Sequence, residues 1–230
     1  MTTVGVLGAG QAGSVLAHAL TTAGHDVVIA NSRGPGTLAE LVAALDPRAR
    51  AARAAEAAAA ADVAVLAFPY APTDRLPVEE LAGKVVIDVD NYMPWRGGNL
   101  PEVDAGRATL HQLRQRQLPG AQLVKAFSHV QFHARSPVRF PGDERPALLR
   151  LARPAGDPER KALAVFSDFP DATALVTRFC DELGFDAVDG GPLSESWRSA
   201  PGTPAWRHHV DGQSREELVE NLRRAQRVPG

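Results

Sequence analysis

Val4-Gly5-Val6-Leu7-Gly8-Ala9-Gly10-Gln11-Ala12-Gly13-Ser14 decides the fold. Its first half is short, apolar and β-branched, the composition of a buried strand. Its second half sets glycines at the spacing G-x-G-x-x-G. From Ala12 to Ala23, Val15, Leu16, Ala19 and Leu20 recur at helical spacing, and Gly24 ends the pattern. Strand, glycine turn and helix in this order are the context in which the dinucleotide fingerprint carries meaning. Gly8 permits the tight turn, Gly10 leaves room for a pyrophosphate, and Gly13 lets the helix approach the strand. The anion would sit on the N–H groups of Gln11, Ala12 and Gly13, at the positive end of the helix dipole.

Working outward, Asp26-Val27-Val28-Ile29-Ala30 reads as the second strand. In NAD-binding versions of this unit, a carboxylate about 20 residues beyond the glycines receives the ribose 2′-hydroxyl. Asn31-Ser32-Arg33 stands there instead. No carboxylate repels a 2′-phosphate, Ser32 can donate to it, and Arg33 can pair with it and stack on adenine. This favours NADP over NAD. Gly34-Pro35-Gly36-Thr37 follows, with Thr37 expected to cap a helix over 38–45.

The alanine-rich stretch 51–61 is expected to be helical, because alanine is the best helix former. Val63-Ala64-Val65-Leu66-Ala67-Phe68 reads as a parallel-sheet strand. Ligands of such sheets bind beyond the carboxyl ends of the strands, which puts Phe68, Pro69 and Tyr70 beside the ribose and nicotinamide; alternatively Tyr70 only caps the sheet. A short helix over 76–81 precedes a strand over 84–89. This strand runs into Asp88, Asp90 and Asn91 and then a Gly-, Pro- and aromatic-rich loop, 92–98, suited to facing substrate. The carboxylates lack a neighbouring His or Glu at a ligand-like interval, so no metal is expected. A helix over 110–118 and a strand over 123–127 lead to His129 and His133, whose spacing lacks a zinc context. His129 is the candidate proton donor near the cofactor, with an ordinary hydrogen-bonded histidine as the alternative.

Beyond residue 135 the prolines 137, 141, 146, 154 and 158 interrupt a segment whose strand candidate is Ala147 to Ala152. A strand over 162–166, a helix over 171–183 and a strand over 185–189 form a β-α-β unit. It either extends the sheet or makes a small lobe. A charged helix over 215–227 closes the chain. The reading is an α/β fold: a Rossmann doubly wound parallel sheet over 1–135, and a smaller α/β extension over 136–230 that completes the substrate cleft.

The composition agrees with a globular enzyme. The chain has 230 residues, 44% of them hydrophobic and 23% charged, with a net charge of −2. This balance gives no reason to expect nucleic acid or an anionic membrane as partner. Cys180 is the single cysteine, which excludes an intrachain disulfide, and it falls in a helical apolar pattern typical of a core thiol. The absence of a charged leader before the first strand, and of a long apolar run, leads us to expect a cytoplasmic protein.

Several motifs together resemble the F420-dependent NADP oxidoreductase family. They are Gly8-Ala9-Gly10-Gln11-Ala12-Gly13, Asn31-Ser32-Arg33-Gly34-Pro35, Asp88 to Asn91, Val124-Lys125-Ala126-Phe127, the run from Phe185 to Leu193, and Pro201-Gly202-Thr203-Pro204. The resemblance implies hydride transfer between NADP(H) and a deazaflavin of the F420 type, in a homodimer. It also implies that Ser32 and Arg33 hold the 2′-phosphate and that Pro69 sits by the nicotinamide. Two further readings stand beside it. One is an NADPH-dependent reductase of a small C=N or C=C substrate, with His129, Tyr92 or Tyr70 as proton donor. The other is a sensor that binds NADP without turnover.

Overall fold

The computed structural model describes residues 1–70, 76–133, 143 and 145–227. Its centre is an eight-stranded sheet of order β3-β2-β1-β4-β5-β6-β7-β8. The strands are β1 (Thr3–Leu7), β2 (Asp26–Ala30), β3 (Ala49–Ala51), β4 (Val63–Leu66), β5 (Val85–Asp88), β6 (Gln122–Lys125), β7 (Ala162–Ser167) and β8 (Asp186–Asp189). Every pairing is parallel except β6 with β7. The order 3-2-1-4-5-6 is that of doubly wound nucleotide-binding folds, and it reverses direction between β1 and β4. The second β-α-β unit therefore extends the sheet, joined to it through the antiparallel β7. The expected boundary between residues 135 and 136, with Pro137 and Pro141, lies outside the described residues.

The helices are α1 (Gln11–Thr22), α2 (Ala39–Ala44), α3 (Ala54–Ala60), α4 (Val78–Leu81), α5 (Pro94–Gly97), α6 (Pro101–Asp104), α7 (Leu110–Gln117), α8 (Ala147–Arg150), α9 (Pro170–Glu182), α10 (Pro204–Arg207) and α11 (Arg215–Arg224). A 3-10 helix spans Leu193–Ser199. The strands are buried on both faces, so their alternate residues feed two cores. Val4, Val6, Val27, Ile29, Val65, Ile87 and Val124 pack with α1 and α9 on one face. Leu7, Val28, Ala64, Leu66, Val86 and Leu123 pack with α3 and α4 on the other. Phe166 and Val188 meet α10 and α11 in a third cluster.

Three expectations need correction. Ala147 to Ala152 is not a strand: Ala147–Arg150 is helical, with Leu148 buried. The stretch lacks β-branched residues, and its Ala, Leu and Arg favour helix after Pro146. Thr37 caps no helix. It lies inside a 3-10 turn, Pro35–Leu38, and Leu38 precedes α2. The alanine-rich stretch begins with a short strand, since Ala51 pairs with Ile29. Alanine's helix propensity yields there to a free edge of the sheet.

Candidate functional site

Two of the three fingerprint glycines are required by the protein itself. Gly8 has φ +110°, its N–H donates to Ala30 O at 2.8 Å, and a Cβ on it would lie 2.5 Å from Ala67 O. A Cβ on Gly13 would lie 1.8 Å from Gly8 O. Gly10 differs: a Cβ there would meet nothing within 4 Å. The protein leaves that space open beside the start of α1. The helix begins at Gly10 with no side-chain cap and no acidic residue in its first turn. Its first bond runs from Ser14 N–H to Gly10 O at 2.9 Å, so the N–H groups of Gln11, Ala12 and Gly13 come before it. An uncapped, uncompensated helix start with open space in front of it fits a phosphate anion.

The loop after β2 is built to present two side chains. Asn31 Oδ1 accepts from Arg33 N–H at 3.0 Å, and Asn31 Nδ2 donates to Thr37 Oγ1 at 2.9 Å. Thr37 in turn donates to Gly34 O at 2.8 Å. The Asn31 amide is thus engaged within the loop. Ser32 and Arg33 stand exposed at its apex.

At the carboxyl ends of β4, β5 and β6 lies a buried ionic cluster. Asp88 and Arg114 are both fully buried, with Arg114 Nε donating to Asp88 Oδ2 at 3.1 Å. The Arg114 guanidinium lies 5.3 Å from the Phe68 ring centroid and 5.0 Å from that of Tyr70. Asp90 accepts the Tyr70 N–H at 2.8 Å and pairs with Arg96. Burial, reinforced by Asp88, pushes the Asp90 carboxyl up to about 6, against the opposing pull of Arg96. Lys125, in register with Asp88 on the neighbouring strand, is 1% exposed and donates to Ser196 O at 2.6 Å. Burial lowers its ammonium to about 7, with Asp88 and Asp90 opposing. His111 meets Ser196 Oγ at 3.1 Å, and burial with Lys125 beside it holds it well below the usual histidine range.

Lys125, His111 and Ser196 of this group line a cavity of about 460 Å³. Asn91, Tyr92 and Asp104 line it as well, with Trp95, Trp197 and Arg227 among the larger side chains. The volume falls within the range of small-molecule sites. Asn91 and Tyr92 also line a narrow cleft reaching Pro69 and Tyr70, so the cavity continues toward the end of β4. Asn91 Nδ2 donates to Ser128 O at 2.6 Å, while its buried Oδ1 has no partner. The bend that brings Ser128 there is Phe127, whose φ of +55° is a conformation an aromatic residue adopts only under constraint.

Pro69, Tyr70 and Asn91 share the narrow cleft, and the Phe68 ring lies beside Gly8, 3.4 Å from where a Cβ on that glycine would be. The structure does not bring His129 there. His129 is buried, accepts the Ala164 N–H on Nε2 at 2.8 Å, and is lowered by burial to about 3. It lines a separate small void with His208 and His209. Geometry therefore favours the ordinary hydrogen-bonded histidine. Sequence reasoning missed Lys125, His111 and Arg114. For Lys125 a signal was available: a lone cation inside an apolar parallel-sheet strand is rare unless it is paired or used. Among the described residues, no group of His, Cys, Asp and Glu could hold a metal ion, and no helix is long and apolar enough to cross a membrane.

Sheet order and glycine turn define a Rossmann-type NAD(P)-binding fold. Residues 3–92 match the family described as NADP oxidoreductase coenzyme F420-dependent, and over that stretch the chain carries the family's domain. A 63-residue stretch is 40% identical to the Escherichia coli K12 protein YjhV; it covers 27% of this chain and 46% of that protein, so the chain matches about half the length of this curated relative. Among solved structures, the hypothetical protein SMa0349 from Sinorhizobium meliloti superposes with a TM-score of 0.67 at 28% identity, covering 89% of this chain and 93% of that one. A protein assigned as an F420-dependent NADP reductase from Arthrobacter sp. FB24 gives a TM-score of 0.65 at 27% identity over 85% and 87%. An imine reductase variant from Myxococcus stipitatus with NAD+ shares the fold alone, at 18% identity and TM-score 0.53 over 84% of this chain and 56% of that one.

Proposed function

We propose that this chain is an NADP(H)-dependent hydride-transfer enzyme whose second substrate, a deazaflavin of the F420 type, enters the cavity beside Asn91 and Lys125. The observation that carries the NADP reading is the pairing of an open Gly10 with an exposed Ser32–Arg33 apex that bears no carboxylate. The N–H groups of Gln11 to Gly13 would hold the pyrophosphate, and Ser32 and Arg33 the 2′-phosphate. Phe68, Pro69 and Tyr70 would flank the nicotinamide, their rings steadied by Arg114. When bound, NADPH supplies a hydride; the cavity supplies position and a water-poor setting, which carry much of the rate in such transfers. The deazaflavin assignment rests on the family description and on the Arthrobacter relative. On the family resemblance the enzyme would act as a homodimer.

Mixing the protein with NADPH and coenzyme F420 and following both absorbance bands tests the assignment. Transfer is expected. NADPH binding without transfer would move the reading to reduction of a small C=N or C=C substrate, which a cavity of about 460 Å³ also accommodates. Arg33→Ala should weaken NADPH binding about tenfold and leave NADH nearly unchanged. Equal losses for the two would remove Arg33 from the phosphate site.

A further inference from the structure

The hydride-transfer reading leaves one atom unassigned. Adding a hydride to carbon in a C=N, a C=O, or a ring conjugated to nitrogen leaves a negative charge on the heteroatom, which must be met by a proton. His129 lines a separate void, His111 is held neutral by burial, and Tyr92 commits its hydroxyl proton to Asp104, with burial and that bond raising its pKa. The groups lining the cavity narrow the choice. Lys125 Nζ has three donors and one hydrogen bond, to Ser196 O. Lys125 and Asn91 line the same cavity, and Asn91 Oδ1 is buried beside it without a partner. Phe166 covers another side of the ammonium, with its ring centroid 5.6 Å away.

A structural duty alone explains this arrangement poorly. Lys84 shows what a structural lysine looks like here: its Nζ donates to Ala58 O, Ala59 O and Ala61 O, which engages all three donors. Lys125 is more deeply buried than a lysine is usually found, yet it lines the cavity with one hydrogen bond where Lys84 makes three.

We infer that Lys125 is the catalytic acid: it donates a proton to the heteroatom of the unsaturated group that receives the hydride. The substrate class follows. It carries a nitrogen or oxygen bonded to, or conjugated with, the carbon that is reduced, so an isolated C=C is not a substrate. The step balances. The reduced nicotinamide is oxidised as the substrate carbon gains hydride; the Lys125 N–H bond breaks, the X–H bond forms, and the electron pair stays on Nζ. Lys125 then regains a proton from water in the cavity. Its surroundings suit an acid that must cycle near neutrality. It feels Asp88 at the end of β5 and Asp90 just after it, His111 from α7 and His129 from the chain after β6; Arg114 in turn acts on His111, and Arg227 also lines the cavity.

The proposal rests on the NADP(H) reading, and two measurements separate them. The first needs no turnover. Trace acetylation, read lysine by lysine in the full-length protein, should modify Lys125 with a midpoint near pH 7. An unmodified Lys125 would mean a sealed, structural lysine and would overturn the proposal. The second uses NADPH with coenzyme F420, and with 1-pyrroline as a small imine. Lys125→Arg keeps the charge but cannot release a proton near neutrality. It should lower kcat about 100-fold or more, abolish the fall in rate above neutral pH, and leave NADPH affinity unchanged by fluorescence titration. Lys125→Gln, which retains a donor toward Ser196 O, should do the same and guards against a misfolded Arg variant. Full activity in a folded Lys125→Arg would overturn the proposal. If neither acceptor is turned over, the labelling result alone decides. Failure of the wild type to bind NADPH would remove the function reading instead.

Discussion

The glycine turn and the buried ionic cluster sit at the same edge of one sheet, but they are built in opposite ways. The turn is made from neighbours in sequence, Gly8 to Gly13, and works by leaving groups out. The cluster draws Asp88 from β5, Arg114 from α7, Lys125 from β6 and Ser196 from the 3-10 helix, and works by forcing charges in. The first tolerates no added atom at two of its positions; the second tolerates no lost partner. A nucleotide can be read by backbone and space, which any sequence with the right glycines provides. Selecting and protonating a second substrate needs side chains at fixed positions, and these require the completed fold.

Arg114→Met should be the most damaging change. It leaves the Asp88 carboxylate buried without its ion pair, holding the Asp90 N–H on Oδ1. Such losses cost about 3–5 kcal/mol, to be read as a lowered urea midpoint. It also removes the guanidinium shared by Phe68 and Tyr70. A loss below about 1 kcal/mol would show that water reaches Asp88 and that the cluster is no drier than the turn.

Asp90 gives the next largest effect. Its carboxyl titrates near 3.8 when unfolded and about 6 when folded. Between those values the folded chain holds a proton that the unfolded chain has released. Stability is therefore greatest below the lower value and falls as pH rises toward about 6. A shift of this size is worth about 3 kcal/mol at most. Asp90→Asn should flatten that part of the stability curve, measured by urea denaturation at several pH values. An unchanged slope would place the titration elsewhere.

How much of this was legible in the sequence follows from the same contrast. The glycine spacing, the strand ends and the Ser32–Arg33 apex were all readable, because each depends on residues within a few positions of one another. The stretch Ala147 to Ala152 reads as a strand because six residues have too little period to tell strand from helix. His129 drew attention because histidine is a common acid, yet its ring is committed to Ala164 N–H on a strand 35 residues away. Lys125 and Asp88 stood in plain view inside apolar strands, but only the parallel register of β5 and β6 sets them side by side. Chemistry assembled across strands leaves no spacing to read.

The smallest effects test the turn from within. Gly13→Ala puts a methyl 1.8 Å from Gly8 O, and backbone must move to admit it. Overpacking of this kind costs about 1–3 kcal/mol, and nucleotide affinity should fall with it. Gly10→Ala should behave differently. Its backbone, at φ −80°, suits alanine, and its methyl meets no protein atom within 4 Å. Stability should change by no more than about 0.5–1 kcal/mol, the ordinary cost of alanine at a helix start. NADPH binding should still weaken at least tenfold, because the methyl enters the space assigned to the pyrophosphate. The pair therefore separates two reasons for being glycine. If Gly10→Ala binds NADPH like the wild type, the open space belongs to water, and the phosphate must be held somewhere other than the start of α1.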